Sequence, residues 1–162
     1  MSASSSAQAS VSAGALTSLG ALGPALGFTE ANIRVLEAMA VSLMRERKLE
    51  RAEDCLRLAC LLDHANPGLW VRLGDCQRLR KNFGAALTSY GLAAEVGVSP
   101  AAWFFIKMAV CRLALGEAEK AFELLGEAET LAERPDADAS AQQFLSALLA
   151  SVKGTASGKS EP

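Results

Sequence analysis

Histidine and tyrosine each occur only once in this 162-residue chain, as His64 and Tyr90. That scarcity narrows the chemistry. His64 stands beside Asp63 at an expected helix end, with no serine or cysteine placed by sequence logic to complete a nucleophilic triad. Capping of that helix C-terminus by a partly charged imidazole is the expected role. An excess of one charge is also lacking: 16 Lys and Arg face 18 Asp and Glu, a net charge of −2 with no basic stripe, which argues against a nucleic-acid partner. No uninterrupted apolar stretch reaches membrane-spanning length, so no membrane partner is expected. Strand-like alternation is missing throughout, and no glycine cluster follows a strand to cradle phosphate. Cys55 and Cys60 lie five apart with no second cluster, which makes a metal site improbable. With Cys76 and Cys111 they sit in apolar helical patterns and read as reduced core thiols. No cofactor is called for, and the chain is not expected to be an enzyme. The opening segment "MSASSSAQASVSAGALTSLGALGPALGF" has no Lys or Arg, and Gly and Ser break up its apolar runs. It therefore does not read as a secretory signal, and a cytoplasmic location is expected.

What is present is helical grammar. Residues 1–28 form a Ser/Ala/Gly-rich segment, expected to be flexible, with Leu16, Leu19, Leu22, Leu26 and Phe28 spaced for a short helix at 16–27. Thr29-Glu30 opens a helical domain over 29–152. Asn66-Pro67 and Ser99-Pro100 each set a capping side chain before a proline at the first helical position. Polar breaks fall at Arg47-Lys48, Arg80-Lys81-Asn82 and Leu115-Gly116-Glu117, and the last pair ends at Glu133-Arg134-Pro135-Asp136. The expected fold is all-α: three helix pairs (33–66, 67–101, 102–135), an amphipathic terminal helix over 137–152, and a solvated tail over 153–162.

The three pairs superimpose. Ala52, Ala86 and Ala121 fall in register at spacings of 34 and 35, the period of a tetratricopeptide repeat. Ala59, Ala93 and Ala128 align, as do Leu56, Tyr90 and Leu125. In the first helices, Ala40, Gly74 and Ala109 align behind Leu36, Trp70 and Phe105, with Met39, Leu73 and Met108 between. Two antiparallel helices approach closely only where small residues face one another, so Gly74 and Ala86 are expected at a tight crossing. Cys76 and Cys111 share a repeat position, which favours packing over chemistry. The expected architecture is a short tetratricopeptide solenoid.

With these residues aligned, the chain resembles the class II chaperones of bacterial type III secretion, tetratricopeptide proteins that hold hydrophobic translocators before export. The segment "LACLLDHANPGLWVRLGDCQRLRKNFGAALTSYGLAAEV" is similar to the family's first-to-second repeat junction, and "AVCRLALGEAEKAFELLGEAETLA" to its third repeat. The resemblance covers roughly residues 16–132. It implies a secreted hydrophobic translocator as client and a homodimer contact through the N-terminal segment. Alternatives are an assembly factor for another component of the secretion apparatus and a generic tetratricopeptide scaffold.

In a curved stack the first helices line the concave side, and positions next to the packing residues face it. That rule selects Val41 and Met44 in the first repeat, Val71, Asp75, Arg78 and Leu79 in the second, and Trp103, Ile106 and Val110 in the third. They are the candidate client-binding residues, suited to an extended segment with apolar anchors. "WFFI" (Trp103 to Ile106) is apolar all round and needs a partner, either a client or the chain's own residues 137–152.

Overall fold

The computed structural model describes residues 22–99, 101–134 and 137–157; expectations for residues 1–21 and 158–162 lie outside them. After a one-turn helix at Leu22–Ala25, the described residues form seven helices and no strand. These are α1 (Glu30–Arg45), α2 (Leu49–Leu62), α3 (Pro67–Leu79), α4 (Phe83–Val96), α5 (Ala102–Ala114), α6 (Ala118–Ala132) and α7 (Ala139–Ser157).

Local chemistry sets most of the boundaries. Thr29 caps α1 in a reciprocal capping box with Asn32. Asn66 Oδ1 accepts from the Gly68 amide at 3.0 Å, and Pro67 occupies the first turn of α3. The third repeat departs from this pattern. α5 starts at Ala102 behind Ala101, which makes no side-chain cap, and the expected start at Pro100 lies outside the described residues. The terminal helix also runs past Val152 to Ser157, because Gly154 costs only about 1 kcal/mol relative to alanine and no proline interrupts residues 139–157.

The first helix of each pair ends in the same way. Arg47, Lys81 and Gly116, spaced 34 and 35 apart, all have positive φ. The next amide bonds back to the last turn each time: Lys48 N to Leu43 O, Asn82 N to Gln77 O, and Glu117 N to Arg112 O. This is the Schellman stop, in which a left-handed residue reverses the chain into the second helix.

The described residues fall into two compact units, one ending at Val98 and one beginning at Ser99. In the first, α1 pairs with α2, α3 with α4, and α2 packs on α3. In the second, α5 pairs with α6, and α7 lies against both. The repeat positions make the cores. Ala40, Ala52, Leu56, Ala59, Ala86, Tyr90, Ala93, Ala109, Ala121, Leu125 and Ala128 are all buried. Leu36, Trp70, Phe105 and Met108 are half-buried, and Met39 is half exposed although Leu73 at the matching position is buried. The tight contact of Gly74 is with the Tyr90 ring, one turn beyond the expected Ala86. Cys60, Cys76 and Cys111 are buried, Cys55 is half-buried, and none of the four is in a disulfide. Burial, and then the nearby Asp63 carboxylate, push the Cys60 thiol up to about 12. Burial followed by Glu53 pushes Cys76 up to about 11.

Candidate functional site

Val71, Asp75, Arg78 and Leu79 recur at helical spacing and therefore form one stripe of α3. An ion pair between Arg72 on α3 and Glu37 on α1 ties that stripe to the face of α1 carrying Val41 and Met44. Val41 and Val71 are half-buried, Leu79 is exposed, and Met44 packs partly against the core of the first unit. Asp75 and Arg78 are less available than their charge suggests. Tyr90 Oη donates to Asp75 Oδ1 at 2.7 Å, and Arg78 Nη2 lies 3.9 Å from the same oxygen. Burial and then the Asp75 charge push the Tyr90 hydroxyl far above the usual phenol range, so it remains a donor. Arg78 Nε is buried with no hydrogen-bond partner among the described residues.

In the second unit Val110 is half-buried on α5, whereas Trp103 and Ile106 have partners of their own. Ile106 is 1% exposed and belongs to the core formed by α5, α6 and α7, which takes it out of reach of a client. Trp103 meets Phe144 of α7 with ring centroids 5.2 Å apart, and its Nε1 donates to Asp138 Oδ2 at 3.0 Å. Hydrogen bonds from the Ser140 side chain and amide, then from Trp103, hold the Asp138 carboxyl below its ordinary range. Trp103 is thereby fixed to the start of the terminal helix.

Two features escaped the sequence reading. The first is Glu53, a carboxylate buried in α2. It accepts from Arg57 Nη2 at 2.7 Å, from Gln77 Nε2 at 3.1 Å, and from Arg80. Burial raises its pKa, but the hydrogen bonds from Arg57, Gln77 and Arg80 outweigh that and hold the carboxyl below the ordinary glutamate value. The second is a cavity of about 400 Å³ between α2, α3 and α4, walled by Cys60, Leu61, His64, Trp70, Thr88 and Leu92 among others. Its side of α3 (Trp70, Leu73, Gln77) is turned about 150° from the Val71 stripe. His64 does not cap α2 as expected. Its backbone oxygen accepts from Trp70 Nε1 at 2.8 Å, and its Nδ1 is buried with no hydrogen-bond partner among the described residues. The same residues hold no cluster of three or more His, Cys, Asp or Glu suited to a metal, and no helix long and apolar enough to cross a membrane.

No family model matches the chain, and no curated protein matches it in sequence. Solved structures do match. PcrH, a Pseudomonas aeruginosa protein, in complex with the chaperone binding region of PopD has a TM-score of 0.72 and 25% identity, covering 80% of this chain and 96% of that one. The Yersinia enterocolitica type III secretion chaperone SycD, in complex with a peptide of the translocator YopD, has a TM-score of 0.71 and 23% identity, covering 78% and 96%. A type III secretion complex from Aeromonas hydrophila has a TM-score of 0.75 and 24% identity, covering 88% and 94%. The chain has the fold of the type III secretion translocator chaperones. Within that fold the small repeat residues are the core, and the stripes on α1 and α3 remain as faces with polar and apolar groups at the surface.

Proposed function

We propose that this protein is a cytosolic chaperone of a type III secretion system, which binds a segment of a hydrophobic translocator and keeps it soluble before export. The observation that carries this reading is the likeness to PcrH and SycD over about four-fifths of the chain, both in structures that contain a client segment. In the first unit the client would lie along α1 and α3. Val41, Met44, Val71 and Leu79 offer apolar contacts there, and Asp75 and Arg78 add polar groups at the edge of the stripe. Val110 offers an apolar contact on α5 in the second unit. An extended peptide suits such a face, because apolar anchors give affinity while main-chain hydrogen bonds fix register. Nothing in this role needs a catalytic group or a cofactor.

The test is co-expression of the chain with a hydrophobic type III translocator, PopD among them. The expected result is a soluble complex that survives purification, with the translocator insoluble when expressed alone. Val71→Asp together with Leu79→Asp should weaken the complex at least about tenfold by placing charge where an apolar anchor docks. A translocator that stays insoluble with or without the chain overturns the reading.

A further inference from the structure

The cations of the first unit are concentrated at one end of its helices. Residues 45–51 and 78–82, around the turns that end α1 and α3, hold seven Lys and Arg against two Glu, in a chain whose net charge is −2. The repeat does not require this. The matching turn of the third repeat, residues 114–120, holds one Lys and two Glu. The two basic turns stand far apart in sequence and meet because α2 packs on α3. Between them is an open cavity of about 540 Å³, walled by Arg47, Lys48, Leu49, Glu50, Arg51 and Arg80.

We propose that this cavity docks an acidic segment of a partner protein other than the client, one that carries several Asp or Glu side chains. Charge is the first argument. Four cations and one carboxylate wall the cavity. Lys48 pairs with Glu46 at 2.7 Å, whereas Arg47 and Arg51 are exposed and form no ion pair among the described residues. A guanidinium fork suits a carboxylate, to which it can donate two parallel N–H bonds. Arg80 is the fixed member of the set. Its Nη2 lies 3.2 Å from Glu50 Oε1 and its Nη1 donates to buried Glu53, so this guanidinium is already ordered before a partner arrives.

Backbone geometry agrees. Arg47 has a φ of +61°, where glycine would be unstrained, and Gly116 takes the matching place in the third repeat. A strained arginine at a turn that glycine can make points to a use for its side chain. The wall also selects among anions. It holds no aromatic ring to stack a base, and Glu50 together with the chain's negative net charge opposes a phosphate backbone. Half-buried Leu49 offers an apolar contact that an inorganic anion cannot use, and the volume suits several side chains rather than one ion. The proposal does not rest on the client reading, because none of the wall residues belongs to the α1 and α3 stripes.

The experiment titrates the full chain into a fluorescent hexaglutamate peptide at low salt and follows anisotropy. Arg47→Gly with Arg51→Ala should weaken binding about fivefold to tenfold, and physiological salt should weaken the parent's binding as well. Arg47→Gly alone relieves the positive φ, so it should lose affinity without a lower melting temperature, which separates binding from folding. Lys120→Ala, in the third repeat's turn, should leave the affinity unchanged. Absence of hexaglutamate binding by the parent, or an equal loss with Lys120→Ala, overturns the proposal. Displacement by inorganic phosphate at matched concentration also overturns it and assigns the cavity to a small anion. Tighter binding of a single-stranded oligonucleotide of equal charge overturns it in favour of nucleic acid. Displacement by a translocator segment overturns it too, and gives the cavity to the client while leaving the chaperone reading in place.

Discussion

The Tyr90 ring lies across Gly74 so closely that a Cβ on residue 74 would stand 2.6 Å from Cε1 and 2.8 Å from Cδ1. Tyr90 has no room to yield, since it is fully buried and its hydroxyl is bound to Asp75. Gly74→Ala gains about 1 kcal/mol of helix propensity but forces the ring to shift, so the net effect is destabilisation by about 1–2 kcal/mol. Gly74→Leu should cost more. Thermal melts of both variants and of Gly74→Ala with Tyr90→Leu check this. The double change should be less harmful than the sum of its parts, and strict additivity would mean that the two residues do not press on one another.

Lys81 should be improved by glycine. Its φ of +62° is a conformation that costs an L-residue roughly 1 kcal/mol, while the matching stop in the third repeat already uses Gly116. Lys81→Gly is expected to raise the melting temperature, although glycine's greater freedom in the unfolded chain reduces the gain. A lowered melting temperature would mean that the Lys81 side chain contributes contacts larger than the backbone strain.

Glu53 links stability to pH. Its folded-state pKa is depressed, so its contribution is fully present above the ordinary glutamate range, about 4.3, and is lost as pH falls through the lower folded value. Glu53→Ala should cost about 1–3 kcal/mol at neutral pH, because buried Gln77 loses its acceptor and Arg80 its anchor on α2. Denaturant melts should show the parent and variant converging in strongly acidic buffer. A constant difference at every pH would deny the carboxylate its role.

The thiols should label in two classes. Cys55 is half-buried and reacts first, whereas Cys60, Cys76 and Cys111 are buried. Cys60 and Cys76 also have thiolates disfavoured by pKa values of about 12 and about 11. A maleimide time course should give one fast site in the native protein and four in denaturant. Fast native labelling of Cys76 would show that its helix opens readily.

The repeat alanines were legible because a close helix crossing admits only small side chains, and that restriction recurs in sequence at the repeat period. Glu53 was not, since a glutamate among Arg51, Asp54 and Arg57 has the local pattern of a solvated helix face. What buries it are Gln77 and Arg80, which stand 24 and 27 residues further on and meet it only when α2 packs on α3. The Schellman stops were legible as polar breaks but not as left-handed residues, because Arg47 and Lys81 lack the glycine that marks the third. Ile106 was assigned to a surface by its offset from the packing positions. That offset holds for a helix with one covered side, and α5 is covered by both α6 and α7.

Ile106 and Val71 consequently separate stability from binding. Ile106→Ala removes a core side chain of the second unit and should cost about 2–5 kcal/mol. Trp103→Ala loses the Phe144 contact and the Asp138 hydrogen bond, which should loosen the start of α7 and bring Phe144, already 44% exposed, further into water. Neither change touches the α1 and α3 stripes, so the affinity of the folded protein for a translocator segment should hold at temperatures well below the melt. Val71→Asp should do the reverse: it places charge on a half-buried surface position with a small effect on melting and a large one on client affinity. Paired melting and calorimetric titrations of the three variants decide the matter. If Ile106→Ala abolishes binding while its second unit remains folded, α5 takes part in the client site through a conformation that uncovers its core face. If Val71→Asp binds as the parent does, the client does not run along the α3 stripe.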